Sequence, residues 1–165
     1  MREILFRGFT PDKRGKTEIF VNGKPIKGQW VQGSYWRYDI TTYCFKEDYE
    51  AHPDNTVHYI LFDEMTDWGL PNRQFRADVI PETVGQYTGL TDKNGKRIFE
   101  GDFVRVDEGV KEAFRVNDGE IKYAWGGFCV DAFGLLNSLN ALANYEGVIR
   151  CEVIGNVHDN PELLK

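Results

Sequence analysis

Glu100 and Asp102 stand two residues apart in the segment RIFEGDFVRV. In an extended strand that spacing puts both carboxylates on one face, where a cleft with a nearby arginine would let them share a proton and act on a small anionic or nucleotide substrate. The commoner role of such a pair is to close a strand end. Just upstream, Asp92, Asn94 and Gly95 sit as the third, fifth and sixth positions of a calcium loop would. The first and twelfth positions would then be Leu90 and Gly101, so both anchoring carboxylates are missing and a hairpin turn is the better reading. Cys44, His52 and His58, with Cys151 or His158 as distant help, offer metal-ligand chemistry at spacings that match no zinc pattern. The two serines, Ser34 and Ser138, lie in no nucleophile elbow, and Gly15-Lys16-Thr17 lacks the upstream glycine of a phosphate loop. These residues assign no catalytic, cofactor or metal position, so the chain leans toward a non-enzyme, with an enzyme on a small anionic or nucleotide substrate as the alternative.

Basic and aromatic residues interleave near the N-terminus, Arg7, Arg14, Lys16, Lys24, Lys27 and Arg37 with Phe9, Phe20, Trp30, Tyr35 and Trp36, and the set narrows to Arg14, Lys16, Arg37, Trp30, Tyr35 and Trp36. Proteins that hold single strands join a positive groove to aromatic stacking platforms on a β surface. The competing reading places the rings in the core and the charges along solvated edges. Those six residues are therefore the candidates for partner or nucleic-acid binding. Trp30 and Trp36, six residues apart, fall on the same face of a regular strand, so at least one of them is expected in the core.

The elements that must position these residues follow from composition. The 165 residues are 41% hydrophobic, 14% aromatic and 28% charged, with 17 glycines, which describes a globular, turn-rich chain. Three widely separated cysteines without a CxxC pair suit a reducing cytoplasm, and no run of apolar residues is long enough to cross a membrane. The net charge of −6 argues against a surface built throughout for nucleic acid. Residues 1–37 nevertheless hold eight Lys or Arg against three acids, whereas residues 38–80 hold three against nine. Opposite charge in neighbouring segments favours self-complementary pairing or a protein–protein surface, and with exposed β edges it favours a homo-oligomer.

Short apolar runs separated by turn residues predict a mainly β protein. Asn22-Gly23 should close a two-residue hairpin, Asp92–Gly95 another turn, and Asn160-Pro161 a short terminal helical turn. Glu47–Asn55 reads as an exposed loop, and KEAFRV, residues 111–116, as a strand. Gly69-Leu70-Pro71-Asn72 is the best linker, which places two small barrel-like or sandwich-like β subdomains at 1–80 and 81–165. Leu135, Leu136, Leu139, Leu142 and Tyr145 recur at helical spacing and predict one amphipathic helix near 135–145 that lids the β core.

MREILFRGF at the start, PETVGQYTGLTDKNGKRIFEGDFVRV in the middle and EVIGNVHDNPELL at the end resemble, in order, the YopX family of phage and prophage proteins. The resemblance covers nearly the whole chain, and the middle block is the most specific. It implies a small, mainly β, phage-encoded protein acting inside a bacterial cell, and it brings no established activity, cofactor or functional residue. On that footing the expected function is a protein-binding accessory factor, with a host or phage protein favoured over nucleic acid as the partner.

Overall fold

The structure is a computed structural model that describes residues 3–11, 20–21, 24–39, 43–51, 56–65, 68–143 and 149–164. The chain forms two compact units, Leu5–Val84, and Gly85–Lys165 joined by Met1–Ile4.

In the first unit the strands are β1 (Phe6–Phe9), β2 (Phe20–Val21), β3 (Lys24–Pro25), β4 (Trp30–Asp39), β5 (Thr56–Met65) and β6 (Pro71–Asp78), with one helical turn, α1 (Lys46–Glu50). Val21 pairs with Lys24, as an Asn22-Gly23 turn requires, although the two turn residues lie outside the described residues. Strands β6, β5, β4 and β1 lie side by side in that order, antiparallel throughout. Alternation along them turns Val31, Ile60 and Ala77 inward, where they join Val79 and the flanking Phe6, Tyr35 and Phe62. A glycine is required at position 33 because a side chain there would run into the Leu61 carbonyl of β5. The 3-10 turn Pro81–Thr83 clamps β1: Phe9 N–H donates to Thr83 Oγ1 (2.8 Å) while Ile80 N–H donates to the Phe9 carbonyl (2.9 Å).

The second unit begins with the hairpin β7 (Gly85–Thr91) and β8 (Arg97–Phe99). It continues with β9 (Asp102–Val106), α2 (Glu108–Phe114), β10 (Gly119–Ala124), β11 (Gly127–Ala132), β12 (Leu135–Ser138) and β13 (Cys151–Asn156). The last five strands form an antiparallel sheet in the order β12-β11-β10-β9-β13. Ile98, Val104, Val106, Ile121, Val130 and Ile149 anchor its core. The expected terminal turn is present at Pro161–Leu164, with Leu163 N–H donating to the Asn160 carbonyl.

The protein is mainly β, and because neither sheet closes into a barrel, the sandwich-like form of the two expected is the one that fits. The helix expected near 135–145 needs correction. Leu135–Ser138 is a strand paired with β11, and Leu139–Leu142 is a single 3-10 turn, residues 144–148 lying outside the described residues. A three-residue repeat serves a 3-10 turn as well as an α-helix, so Leu139 and Leu142 are both fully buried without one. Asn137, Ser138 and Asn140 give an α-helix little intrinsic support. The reverse correction applies at 111–114, read as strand and found in α2. There Asp107 stands at the N-cap position, its carbonyl accepts from Val110 and Lys111 N–H, and Lys111 pairs with Glu108 at 3.0 Å. Glu47–Glu50 lies within α1, whose residues are all solvent-exposed.

Candidate interaction surface

Strand β4 sorts the sequence candidates onto two faces. Tyr35 and Arg37 share the inward parity: the Tyr35 ring meets Phe6 at 5.4 Å, its hydroxyl shares a 2.7 Å hydrogen bond with His58 Nδ1, and Arg37 stands opposite His58. Trp30 and Trp36 occupy the other face, as their spacing of six requires, so the structure puts these two on one face and Tyr35 and Arg37 on the opposite one. Arg14 and Lys16 lie outside the described residues.

The two tryptophans differ in setting. Trp30 is half-buried, edge-on to Phe9 at 5.4 Å and beneath the Arg7 guanidinium at 4.8 Å. Neither belongs to the core cluster, so the expectation of a core tryptophan is not met: the face they share is the outer one, and Val31 and Tyr35 of the opposite parity turn inward. Trp36 is 54% exposed and stands opposite Tyr59, which in turn stands opposite Asp78. Around Tyr59 the rings converge: Tyr38 meets it edge-on at 5.7 Å and the Arg76 guanidinium covers its face at 5.2 Å. Arg76 Nη1 also reaches the Tyr38 hydroxyl at 3.5 Å. A Trp–Tyr–Tyr–Arg cluster thus lies on the outer side of β4, β5 and β6. Sequence reasoning missed Tyr38, Tyr59 and Arg76. Tyr38 was within reach, being two residues beyond Trp36, whereas Tyr59 and Arg76 depend on a cross-strand register that only the fold supplies.

The carboxylates of the second unit hold turns. Asp102 is buried, and its Oδ2 accepts from Phe99 N–H at 2.7 Å. Glu100 lies in the tight turn before β9 and not on it, so the two carboxylates do not share a strand face as expected. Asp92 is also buried. Its Oδ1 accepts from Asn94 and Lys96 N–H at 2.8 and 2.9 Å, and its Oδ2 from Val153 N–H at 3.0 Å, which ties the β7–β8 turn to β13. Burial, reinforced by the Asp92 charge, pushes the Cys151 thiol up to about 12, so it is not a thiolate near neutral pH. Among the described residues no group of three His, Cys, Asp or Glu side chains is placed to hold a metal ion, and no helix is long and apolar enough to cross a membrane.

Comparison with known proteins gives a family and a distant structural likeness. The sequence profile of the family described as YopX protein matches residues 24–165. No curated protein matches the chain. The crystal structure of protein EF1440 from Enterococcus faecalis is similar at 22% identity over 100% of both chains, with a TM-score of 0.44.

Proposed function

The chain belongs to the YopX family, and on that premise we propose that it is a non-enzymatic, phage-encoded accessory factor that binds a host or phage protein in the bacterial cytoplasm through the outer side of β4–β5–β6. The supporting observation is the cluster of Trp36, Tyr38, Tyr59 and Arg76 on one sheet face. Trp, Tyr and Arg are the residues that dominate the binding energy of protein interfaces: Trp and Tyr offer a large rigid contact area at little conformational cost, and Arg a planar fork of hydrogen-bond donors. The neighbouring charges favour protein over a polyanion: Asp78 stands beside Tyr59, Asp63 is exposed on the same face, and the whole chain carries −6.

One observation keeps a second reading open. Trp30 and Trp36 share that face with Arg7 and Arg76, a set that would also stack single-stranded bases. The experiment is affinity capture from infected cells with the intact protein and with Trp36→Ala/Arg76→Ala, followed by titration of the purified partner. A protein partner whose affinity falls by about 2 kcal/mol or more in the variant supports the reading. A nuclease-sensitive partner, with binding that collapses steeply as salt rises, replaces it with the nucleic-acid reading. Turnover that survives purification and vanishes in Glu100→Gln overturns both.

A further inference from the structure

The second unit contains a cleft of about 310 Å³ between residues 88–90 of β7 and the turn joining β10 to β11. Every described residue lining it is uncharged, in a chain of which 28% of residues are charged. Part of its wall is bare backbone, at Gly89, Gly126 and Gly127. The rings are Tyr123 and Phe128, set edge-to-face at 5.3 Å. Two polar groups in it, the Tyr123 hydroxyl and the Asn140 carboxamide, make no hydrogen bond among the described residues. The Thr88 hydroxyl is already committed, to the Ile98 carbonyl and to Leu90 N–H.

The adjoining turn is unusual. Ala124 pairs with Gly127, so Trp125 and Gly126 form a two-residue loop, with φ of +52° and +80°. Loops of this kind favour Asn or Gly at the first position, and a bulky side chain there is disfavoured. Trp125 keeps that place while 82% exposed. A strained backbone that presents a large ring to solvent at the edge of a neutral cleft points toward a ligand.

The chemistry of the lining narrows that ligand. A phosphate or carboxylate would find no cation among the described lining residues, which disfavours nucleic acid and acidic peptides. A peptide main chain with unsatisfied carbonyls suits the two free donors, the bare glycine backbone lets it approach, and aromatic walls suit proline rings, whose extended left-handed helix is already formed and keeps its carbonyls outward. We propose that this cleft binds a proline-containing extended segment of a protein, with Tyr123 and Phe128 against the proline rings and the Tyr123 hydroxyl and Asn140 carboxamide donating to its carbonyls. Every described residue lining the cleft belongs to the second unit, and none is among Trp36, Tyr38, Tyr59 and Arg76.

The test uses the intact protein and a labelled peptide of repeated Ala-Pro-Pro, read by fluorescence anisotropy, with an all-alanine control peptide and an oligo-dT strand. The proline peptide should bind saturably and alike at low and high salt, and Asn140→Ala should weaken it about tenfold. Tyr123→Phe should weaken it comparably, because it removes the other donor while keeping the ring of an exposed residue. Unchanged melting temperatures in both variants, each at an exposed residue, would tie the loss to the cleft. Equal binding of the control peptide, salt-dependent binding of the oligonucleotide in place of the peptide, or no saturable peptide binding at millimolar concentration would each overturn the proposal.

Discussion

The two units spend their apolar residues differently. Among the described residues, the core of the second unit gathers twelve buried side chains and that of the first only four, although the first holds both of its ten-residue strands. In the second unit buried carboxylates stitch turns to strands, as Asp92 does across 61 residues to Val153. In the first, large rings such as Trp36 and Tyr38 stand on the outer face of the sheet, where folding alone does not require them. Buried carboxylates tie the second unit internally, whereas the first sets exposed rings across one sheet face. Substitutions should separate the two roles.

The largest effect is expected at Asp92. Asp92→Ala removes the acceptor of three backbone N–H groups, one of them the buried donor of Val153. A loss of about 3–5 kcal/mol in urea denaturation is expected, since each hydrogen bond to a charged group is worth about 1.5–3 kcal/mol and a stranded buried donor adds to the cost. A loss below about 1 kcal/mol would show that the turn is not the tie described. Next comes Gly33→Ala in the first unit, where the new methyl meets the Leu61 carbonyl and the Ile60 side chain. About 1–3 kcal/mol is expected from such overpacking, and hydrogen exchange should place it in residues of β4 and β5, leaving the second unit protected.

What the sequence disclosed and what it hid divide along the same physical line. Local chemistry was legible: the Val21–Lys24 pairing, the Asp92–Gly95 turn, the terminal Pro161 turn and the shared face of Trp30 and Trp36 all depend on residues close in the chain. The helix expected near 135–145 was not, because a three-residue leucine repeat fits a 3-10 turn equally and the pairing of Leu135–Ser138 with β11 is a tertiary choice. Tyr35 and Arg37 were grouped with the tryptophans by proximity, and alternation separates them. The Tyr59–Arg76 half of the surface was hidden for a further reason: it needs the registers of β4 on β5 and of β5 on β6, which no local pattern fixes.

The tryptophans give a smaller and more diagnostic contrast. Trp30→Ala should cost about 1–2 kcal/mol, from the lost ring contact with Phe9 and the lost cation–π contact with Arg7. Trp36→Ala should stay within about 0.5 kcal/mol in thermal or urea unfolding, since the ring is mostly in solvent. If Trp36→Ala instead destabilises as much as a core aromatic, about 3–5 kcal/mol, then the outer face is a structural layer and the proposed surface is lost.

The smallest effect concerns pH and belongs to the second unit alone. Lys122 Nζ lies 2.7 Å from Asp131 Oδ2, and Gly134 N–H donates to Asp131 Oδ1 at 2.8 Å, within the turn formed by Phe133 and Gly134. The Lys122 hydrogen bond, then the Gly134 amide, holds the Asp131 carboxyl below its ordinary value of 3.8; the same bond, then Glu120, raises Lys122 above 10.5. A folded-state value below the unfolded one gives stability that is complete above pH 3.8 and drains away as pH falls through the lowered value. For Lys122 the sign reverses: its contribution is complete below pH 10.5 and is lost as pH rises through the raised value. Because the Lys122 side chain is 45% exposed, water screens the pair, and the contribution should stay under about 1 kcal/mol. The check is the difference in urea midpoint between wild type and Asp131→Asn, in which a carbonyl oxygen can still accept from Gly134 N–H and only the charge is lost. That difference should be flat between the two limits and shrink beyond either one. A difference that persists undiminished in acid would mean that the carboxylate acts through packing of the turn and not through its charge.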